Sequence, residues 1–287
     1  MGQTLYLECN SGISGDMLVG ALLDLGASQD TLSNVLDTVQ AEGFDIVYTK
    51  QKRSGLECMD FDVVLDADHE NHDHDMDYLY GHLQEDHSHE HHHDHEHTHE
   101  HEHHNQHSHE HHHSHDHIHR GIKEVNEIID AAKMTDRARE IAKAIFDQVA
   151  KAESKAHGVP VEQVHFHEVG AIDSIVDVIA IAVCIDDLDI TEVIVPKLYD
   201  GQGTVRCQHG ILPIPVPAVA NIVADNAIKL EILNVRGELV TPTGAAAVAA
   251  LRTSDKLPDE FLVKKIGMGS GKRDYGLAGF LRAMIIE

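Results

Sequence analysis

The stretch QEDHSHEHHHDHEHTHEHEHHNQHSHEHHHSHDHIH, residues 84–119, divides the chain and decides how the rest of it can fold. Together with the sparser residues 69–83, it holds 23 of the 27 histidines and 13 acidic residues, but no Lys or Arg. It has too few apolar side chains to offset the entropy lost when a backbone is ordered, so we predict that 69–119 is disordered. The folded protein must then form from residues 1–68 and 120–287.

This histidine-rich segment is a ligand set for borderline transition metals. Neutral imidazole suits nickel, zinc and copper, and the Irving–Williams order places nickel above cobalt and iron. The densest ligands include His91, His92, His93 and His95. A solvated linker without a metal role and an expression tag are the alternatives, although the internal position and the interleaved acids disfavour a tag. The segment alone does not indicate which metal is bound, or whether that metal is stored, delivered or buffered.

Charge and composition exclude several classes of partner. The formal net charge is −27, of which −13 lies in the histidine-rich segment and −14 outside it. An acidic body disfavours nucleic acid and anionic membranes. Four scattered cysteines without a C-x-x-C pair fit a reducing compartment. The N-terminus does not resemble a signal peptide, and the longest apolar run, Ile175–Ile185, is too short to span a bilayer. We therefore expect a cytoplasmic protein.

Hydrophobic periodicity predicts an α+β fold with mixed α/β layers. Before the histidine-rich segment we predict a small βααββ unit, whose sheet we expect to continue with strands from 120–287 because it buries little alone. After the segment we predict a larger α/β body. The predicted helices are 15–25, 29–40, 118–132, 136–157, 174–185, 218–226 and 241–251, and the predicted strands are 5–8, 44–52, 59–65, 192–197, 204–207, 230–234, 261–268 and 280–286.

The first candidate site is the turn Ser11-Gly-Ile-Ser-Gly-Asp-Met17, between a strand and a helix. Its glycines allow a ligand to approach the backbone, and the free N–H groups of a helix start favour an anion. Asp16 could cap the helix or hold a cation, and a tight turn with a capping acid is the alternative for the whole motif. We assign cofactor binding to Ser11, Gly12, Ser14 and Gly15.

The second candidate site is the segment His165-Phe-His-Glu-Val-Gly-Ala-Ile-Asp-Ser-Ile-Val-Asp177. His165 and His167 project to the same side of an extended segment, and Asp173 and Asp177 stack on one face of the helix that follows. With Glu168, these side chains could form a mixed nitrogen and oxygen metal site or an acid–base site. The alternative is that each histidine is a satisfied core residue.

Three further segments supply candidates. Asp200 and His209 lie on predicted loops around a short strand, where they could face one pocket. Thr241-Pro-Thr243-Gly244 begins a helix whose hydroxyl and amide groups could receive a phosphate, with a well-capped helix as the alternative. Gly267–Asp274 fails the Walker pattern, because three residues rather than four precede Gly-Lys and Arg follows. It could still be a flexible loop that brings two cations near an anionic ligand.

Taken in order, six segments resemble the LarC family of nickel-insertion proteins, from residue 5 to about residue 282. They are SGISGDM, the histidine-rich segment, HFHEVGAIDSIVD, GQGTVRCQHGILPIPVP, GELVTPTGAA and GMGSGKRD. The resemblance implies insertion of Ni²⁺ into pyridinium-3,5-bisthiocarboxylic acid mononucleotide, which gives the nickel-pincer cofactor of lactate racemase. It also implies that CTP is used by the complete protein, together with Mg²⁺ or Mn²⁺.

The resemblance carries over residue by residue to positions already singled out, and the chemical roles are our own inference. The implied residues are Asp16, His165, His167, Glu168, Asp173, Asp177, Asp200 and His209. We assign catalysis to Asp16, His165, His167, Glu168, Asp173 and His209. We assign phosphate or cofactor contacts to Thr241, Thr243 and Gly244 as well as to the first turn. We assign metal binding to His165, His167, Asp173 and Asp177 besides the histidine-rich segment.

The chain departs from the family pattern at three places. Glu8-Cys9-Asn10 replaces the usual Asp-Cys-Phe or Asp-Ala-Phe, and Ala278-Gly279 replaces Pro-Asn. The sequence ends at Glu287, where family members continue into a C-terminal domain associated with CTP binding and oligomerisation. We therefore expect nucleotide use and homo-oligomer formation to need that part, whether it is joined or separate.

Two functions of different classes remain open from the sequence. In the first, an enzyme receives nickel from the histidine-rich segment at His165, His167 and Asp173 and passes the cofactor to lactate racemase or a similar enzyme. In the second, the chain is a non-catalytic nickel storage or delivery protein. A zinc hydrolase is disfavoured because no H-E-x-x-H motif is present.

Overall fold

A computed structural model of the protein describes residues 2–41, 43–66, 76–80, 120–166 and 170–287. Its mixture of helices and strands confirms the α+β class. Several predicted features lie outside the described residues. They are the predicted disorder of 69–75 and 81–119, the ligands His91, His92, His93 and His95, and the candidate site residues His167 and Glu168. The prediction of disorder was wrong for residues 76–80, which form a short helix because Leu79 packs into the core.

The elements follow one another from β1 to β11. The strands are β1 (Gln3–Glu8), β2 (Phe44–Arg53), β3 (Leu56–Leu65), β4 (Arg120–Gly121), β5 (His165–Phe166), β6 (Ile190–Ile194), β7 (Leu198–Cys207), β8 (Gly210–Ile214), β9 (Leu230–Arg236), β10 (Val263–Ser270) and β11 (Phe280–Ile286). The helices are α1 (Gly15–Leu25), α2 (Gln29–Leu36), α3 (Met76–Tyr80), α4 (Ile122–Ala131), α5 (Asp136–His157), α6 (Ile172–Asp187), α7 (Pro217–Asp225) and α8 (Pro242–Leu251).

A six-stranded sheet with the order β2-β3-β10-β11-β1-β6 forms the centre of the fold. β1 is antiparallel to β11 and parallel to β6, whereas β3 and β10 are parallel neighbours. Strands from 1–68 and from 120–287 therefore alternate in one sheet. A smaller sheet, β8-β7-β9, lies later in the chain.

Helix α6 is buried over most of its length and explains the long apolar run in the sequence. Its residues from Ile175 to Ile185, with the exception of Asp177, are buried. It packs against both α1 and α5. Burial on all sides requires apolar residues all round the helix, which is why the run is continuous rather than periodic. The polar N-terminal turn of α6 lies outside this core and forms part of the candidate site.

Several predicted boundaries were wrong, and strand pairing explains most of the differences. The predicted helix 118–132 begins only at Ile122, because Arg120 and Gly121 pair with β5. The predicted loop at 200–203 belongs to β7, which pairs with both β8 and β9. The predicted loop that begins at Gly267 is part of β10 as far as Ser270. Ladder hydrogen bonds and packing can outweigh the loop preference of glycine. In the part of the chain that the structure describes, no helix is long and apolar enough to cross a bilayer.

Candidate functional site

The N-termini of three helices, α1, α6 and α8, meet at one cavity of about 110 Å³. Two backbone hydrogen bonds hold α1 and α8 together: Ile13 N–H donates to Leu239 O (2.9 Å), and Thr241 N–H donates to Ile13 O (3.1 Å). Helix starts carry partial positive charge and N–H groups without helical partners, so three of them at one cavity favour an anion. The N-terminal residues that line the cavity are Ser14, Gly15, Asp16, Asp173, Ser174, Asp177, Thr241, Pro242 and Thr243.

Glycines at these helix starts allow the protein to pack closely against itself. A Cβ on Gly15 would collide with the carboxylate of Asp177, and a Cβ on Gly244 would collide with Ile13 O. Gly12 has a φ of +85°, and a Cβ there would meet Leu239 O. Gly12 and Gly15 were predicted to allow a ligand to approach the backbone, and this stays a prediction. At the position of a Cβ on Gly12, Gly15 or Gly244, protein atoms fill the space, so these glycines bring the three helix starts together.

Three carboxylates, those of Asp16, Asp173 and Asp177, line the same cavity. Asp16 Oδ1 accepts hydrogen bonds from Met17 N–H (2.8 Å) and from the Ser14 hydroxyl. The backbone N–H of Asp16 donates a hydrogen bond to the Asp177 carboxylate, whereas Asp177 Oδ1 is buried without a hydrogen-bond partner. Burial raises the pKa of Asp177 well above its usual value; Asp16 and Asp173 raise it further, and Lys272 opposes them. A proton or a cation at this position relieves the repulsion between these acids.

Two cations, Lys272 and Arg273, also line the cavity, and each is paired with an acid. Lys272 pairs with Asp62, and Arg273 Nη1 lies 2.7 Å from Glu238 Oε2. Burial acts to lower the pKa of Arg273, but Glu238 and neighbouring Tyr275 outweigh it and the pKa is raised. The two cations of this segment therefore line the cavity, although they follow a strand and are ion-paired, and their proximity to an anionic ligand stays a prediction.

Helix α3 borders the cavity and connects it to the histidine-rich segment. Leu79 is buried and lines the cavity. The Tyr80 hydroxyl lies 2.9 Å from that of Tyr275 and accepts a hydrogen bond from Glu238 N–H (3.1 Å). On the other side of 81–119, Arg120 Nη1 donates to Gly170 O (3.1 Å), three residues before Asp173. The described residues that flank 81–119 are thus anchored close to the site at both ends.

The remaining predicted site residues are distributed differently. His165 is exposed on β5 opposite Gly121 and does not line the cavity. Asp200 is fully buried, and its Oδ1 accepts hydrogen bonds from three backbone N–H groups. His209 is exposed in the turn between β7 and β8, with Nδ1 4.0 Å from the Sγ atom of Cys207. Asp200 and His209 therefore do not meet at a common pocket, because Asp200 faces the protein interior. Ser11 lines a second, adjoining cavity rather than the first.

Sequence reasoning missed several residues that line the main cavity, notably Leu79, Arg206, Cys207 and Glu238. Cys207 and Glu238 lie inside motifs that were recognised, and no local pattern distinguishes them from their neighbours. Within residues 2–41, 43–66, 76–80, 120–166 and 170–287, no group of three or more His, Cys, Asp or Glu side chains is already arranged to hold a metal ion.

The family model described as nickel insertion protein matches residues 5–287. The chain is 50% identical over 287 residues to the pyridinium-3,5-bisthiocarboxylic acid mononucleotide nickel insertion protein of Alkaliphilus metalliredigens, covering 100% of this chain and 61% of that protein. Proteins of the same name from Lactiplantibacillus plantarum and Acetivibrio thermocellus are 36% and 33% identical, over 99% and 98% of this chain and 62% and 60% of theirs. The chain thus spans about 60% of the length of these relatives. No solved structure matches it.

Proposed function

The chain belongs to the nickel insertion protein family, and on that premise we propose that it carries the site where Ni²⁺ enters pyridinium-3,5-bisthiocarboxylic acid mononucleotide. One observation supports this proposal above the others. Three helix N-termini and three carboxylates face one cavity, so the same cavity suits an anionic organic molecule and a divalent cation.

The anionic groups of the substrate fit the helix starts. A mononucleotide carries a phosphate, and the two thiocarboxylates add further negative charge. The N–H groups at the starts of α1 and α8 and the hydroxyls of Thr241 and Thr243 are suitable donors. Thr241 also caps α8, since its Oγ1 accepts from Gly244 N–H (3.2 Å), and this bond fixes the hydroxyl beside the cavity.

Nickel is the substrate metal, and the carboxylate of Asp173 is its proposed protein ligand in the cavity. In a pincer product, carbon and sulfur atoms of the organic molecule fill most of the coordination sphere. The protein then needs to supply only one or two ligands, which agrees with the lack of a preformed three-ligand cluster among the described residues. Binding by His167 and Glu168 stays a prediction, and His165 on β5 would need to move to join them.

Formation of the nickel–carbon bond requires a proton acceptor. The pyridinium C4–H bond breaks, its electron pair passes to nickel, and the proton must leave. Asp177 suits this step because its Oδ1 is buried without a partner and its pKa is raised by burial and by the neighbouring acids. A base works best when its pKa lies near the working pH.

The histidine-rich segment would supply the metal. A tethered ligand set raises the local metal concentration to the order of mM when it can reach the site. The positions of Leu79 and Arg120 support this role, since both flank 81–119 and lie near the cavity. We also propose that CTP with Mg²⁺ or Mn²⁺, homo-oligomer formation and delivery to a lactate racemase or a similar enzyme belong to the complete protein in the cytoplasm, with the C-terminal part that its relatives have.

Non-catalytic nickel storage is the second candidate, and the abundance of histidine in 69–119 favours it. Deletion of 81–119, which leaves Leu79 and Tyr80 at the cavity, separates the two functions. Storage predicts that all tight nickel binding and all support of cofactor formation disappear. Insertion predicts that cofactor still forms at high Ni²⁺ and that only the nickel requirement rises.

The decisive assay mixes the chain with Ni²⁺, the mononucleotide, CTP and Mg²⁺ or Mn²⁺, with and without the C-terminal part of a relative. Product is measured as activation of an apo lactate racemase. The double variant Thr241→Val, Thr243→Val lacks the two hydroxyls proposed to bind the mononucleotide. It should need a higher mononucleotide concentration for half-maximal rate. The proposal is wrong if the deletion chain forms no cofactor at any nickel concentration while the undeleted chain does.

A further inference from the structure

A thiol and two imidazoles lie together just outside the acidic part of the cavity, although they come from distant parts of the chain. Cys207 ends β7 and His209 lies in the turn before β8, whose first residue Gly210 has a φ of +94°. His157 occupies the last turn of α5, and its ring centre lies 5.0 Å from that of His209. The Sγ atom of Cys207 lies 4.0 Å from Nδ1 of His209.

We propose that Cys207, His209 and His157 form a binding site for a borderline divalent cation such as Ni²⁺, from which the ion passes to the carboxylates of the cavity. Binding of the cation is argued from these side chains alone. Only its role as the metal in transit rests on the function proposed above.

The spacing of the three side chains is close to that of a tetrahedral site. With metal–sulfur and metal–nitrogen bonds of about 2.3 and 2.1 Å, a sulfur and a nitrogen on one ion lie about 3.6 Å apart. Two imidazoles on one ion hold their ring centres about 5 Å apart on the same geometry. The observed sulfur–nitrogen distance of 4.0 Å and the observed ring-centre distance of 5.0 Å are close to these values. A small rotation of the side chains would make up the difference. Among the described residues, no three potential ligands are already close enough to hold a metal ion, and this holds for Cys207, His209 and His157. Their side chains must therefore move closer together when the ion binds.

Two features of α5 prepare His157 for a cation. Its Nε2 lies 3.3 Å from Glu153 Oε2, one helical turn earlier, and such a carboxylate contact orients a metal-binding imidazole. The side chain of Glu153 is only 16% exposed, so this contact is shielded from solvent. His157 also lies at the C-terminal end of a 22-residue helix, where the helix dipole favours positive charge.

The donor set selects the class of metal, and the position suggests its destination. A thiolate with imidazoles favours nickel, cobalt, copper or zinc over magnesium and calcium, which prefer oxygen ligands. Cys207 lines the cavity that also contains Asp173 and Asp177, whereas His209 and His157 are exposed to solvent. A cation held here would lie between solvent and the proposed insertion site.

The full-length chain allows a selective test, because the histidine-rich segment contains no cysteine. Titration with NiCl₂ or CoCl₂ in a thiol-free reducing buffer should produce a thiolate-to-metal charge-transfer band that imidazole binding in 69–119 does not give. Cys207→Ser should abolish this band. The matched control Cys58→Ser, at a buried cysteine outside the site, should retain it. Glu153→Gln should weaken the metal affinity reported by the band by about 10- to 100-fold.

Absence of the band at metal concentrations that saturate the histidine-rich segment overturns the proposal, and so does an undiminished band in Cys207→Ser. If Cys207→Ser does not fold, His157→Gln takes its place, because its exposed side chain can be changed without loss of the fold; an unchanged band then overturns the site. A normal band without nickel insertion counts against the proposed function and leaves the site standing. Normal nickel insertion without the band overturns the metal site and leaves the proposed function standing.

Discussion

Asp177 and Asp200 are two acids whose pKa is raised first by burial, yet their surroundings differ in kind. Asp200 Oδ1 accepts from the N–H groups of Gly201 (2.8 Å), Leu239 (2.9 Å) and Val240 (3.1 Å). These three bonds act to lower the pKa of Asp200 against burial. Each acid has one buried oxygen without a hydrogen-bond partner, Asp200 Oδ2 and Asp177 Oδ1. The two differ because Asp177 has a single backbone donor, and its other neighbours include two carboxylates and a cavity.

The difference shows that burial of an acid does not by itself indicate function. Asp200 ties β7 to residues 239 and 240, directly before α8, and so fixes one of the three helix starts at the site. Its role follows from the donors that surround it. Asp177 is held in a position that costs free energy unless a proton or a cation arrives, and such sites are where chemistry concentrates.

Asp177→Asn gives the largest expected effect, which is on activity. The amide keeps the shape and the acceptor for Asp16 N–H but removes the basic oxygen. We expect the rate of nickel insertion to fall by about 100- to 10,000-fold, the range for loss of a proton acceptor. The measurement is the rate of cofactor formation at saturating Ni²⁺ and mononucleotide.

The matched control for this experiment is Asp200→Asn, which neutralises the other buried acid and should retain most of the activity. Folding of both variants is checked by urea unfolding, and Asp177→Asn should be at least as stable as the parent at neutral pH because a repelled charge is removed. Equal losses of activity in the two variants would show that the contrast between these acids has no functional meaning.

Asp200→Ala gives the next largest effect, which is on stability. The substitution leaves three buried N–H groups without an acceptor, and each unsatisfied buried group is costly. We expect the free energy of unfolding to fall by about 3 kcal/mol or more. Asp200→Asn retains a carbonyl oxygen for the same donors and should cost about 1 kcal/mol. Urea unfolding measures both; similar losses for Ala and Asn would mean that the three hydrogen bonds contribute little.

Most of the fold could be predicted from local sequence, because its elements carry strong local patterns. α1 and α5 have the predicted bounds, and the predicted strands 44–52 and 59–65 correspond to β2 and β3. α2 ends at Leu36, four residues earlier than predicted. The order of the strands in the sheet depends on long-range pairing, such as that between β3 and β10, and no local pattern encodes it.

The candidate site was only partly predictable, for a related reason. Asp16, Asp173, Asp177, Thr241 and Thr243 were recognised because a strand or loop followed by a helix start has a local signature. The convergence of three such starts depends on close packing at Gly15 and Gly244, which sequence spacing does not reveal. His165 resembles a metal ligand in the sequence, but pairing of β5 with β4 holds it on an exposed strand away from the cavity.

The smallest expected effect is the pH dependence of stability. Folding raises the pKa of Asp177 above its unfolded value of about 3.9, so the folded state binds the proton more tightly. Stability from this group is therefore fully present below the unfolded pKa and is lost as pH rises toward the folded pKa. The slope is at most about 1.4 kcal/mol per pH unit for one group. Asp177→Asn removes the titrating group, so the variant should gain stability relative to the parent as pH rises.

Urea unfolding of the parent, Asp177→Asn and Asp200→Asn at several pH values between about 4 and 7 measures this linkage. The stability difference between Asp177→Asn and the parent should be near zero at the acidic end and grow toward neutral pH. Asp200→Asn should show a smaller change, because three N–H donors already stabilise the ionised form of Asp200. A pH-independent difference for Asp177→Asn would mean that this carboxyl titrates alike in the folded and unfolded chain. It would then be solvated in the folded protein much as Asp is in water, and its proposed role as proton acceptor would lose its physical basis.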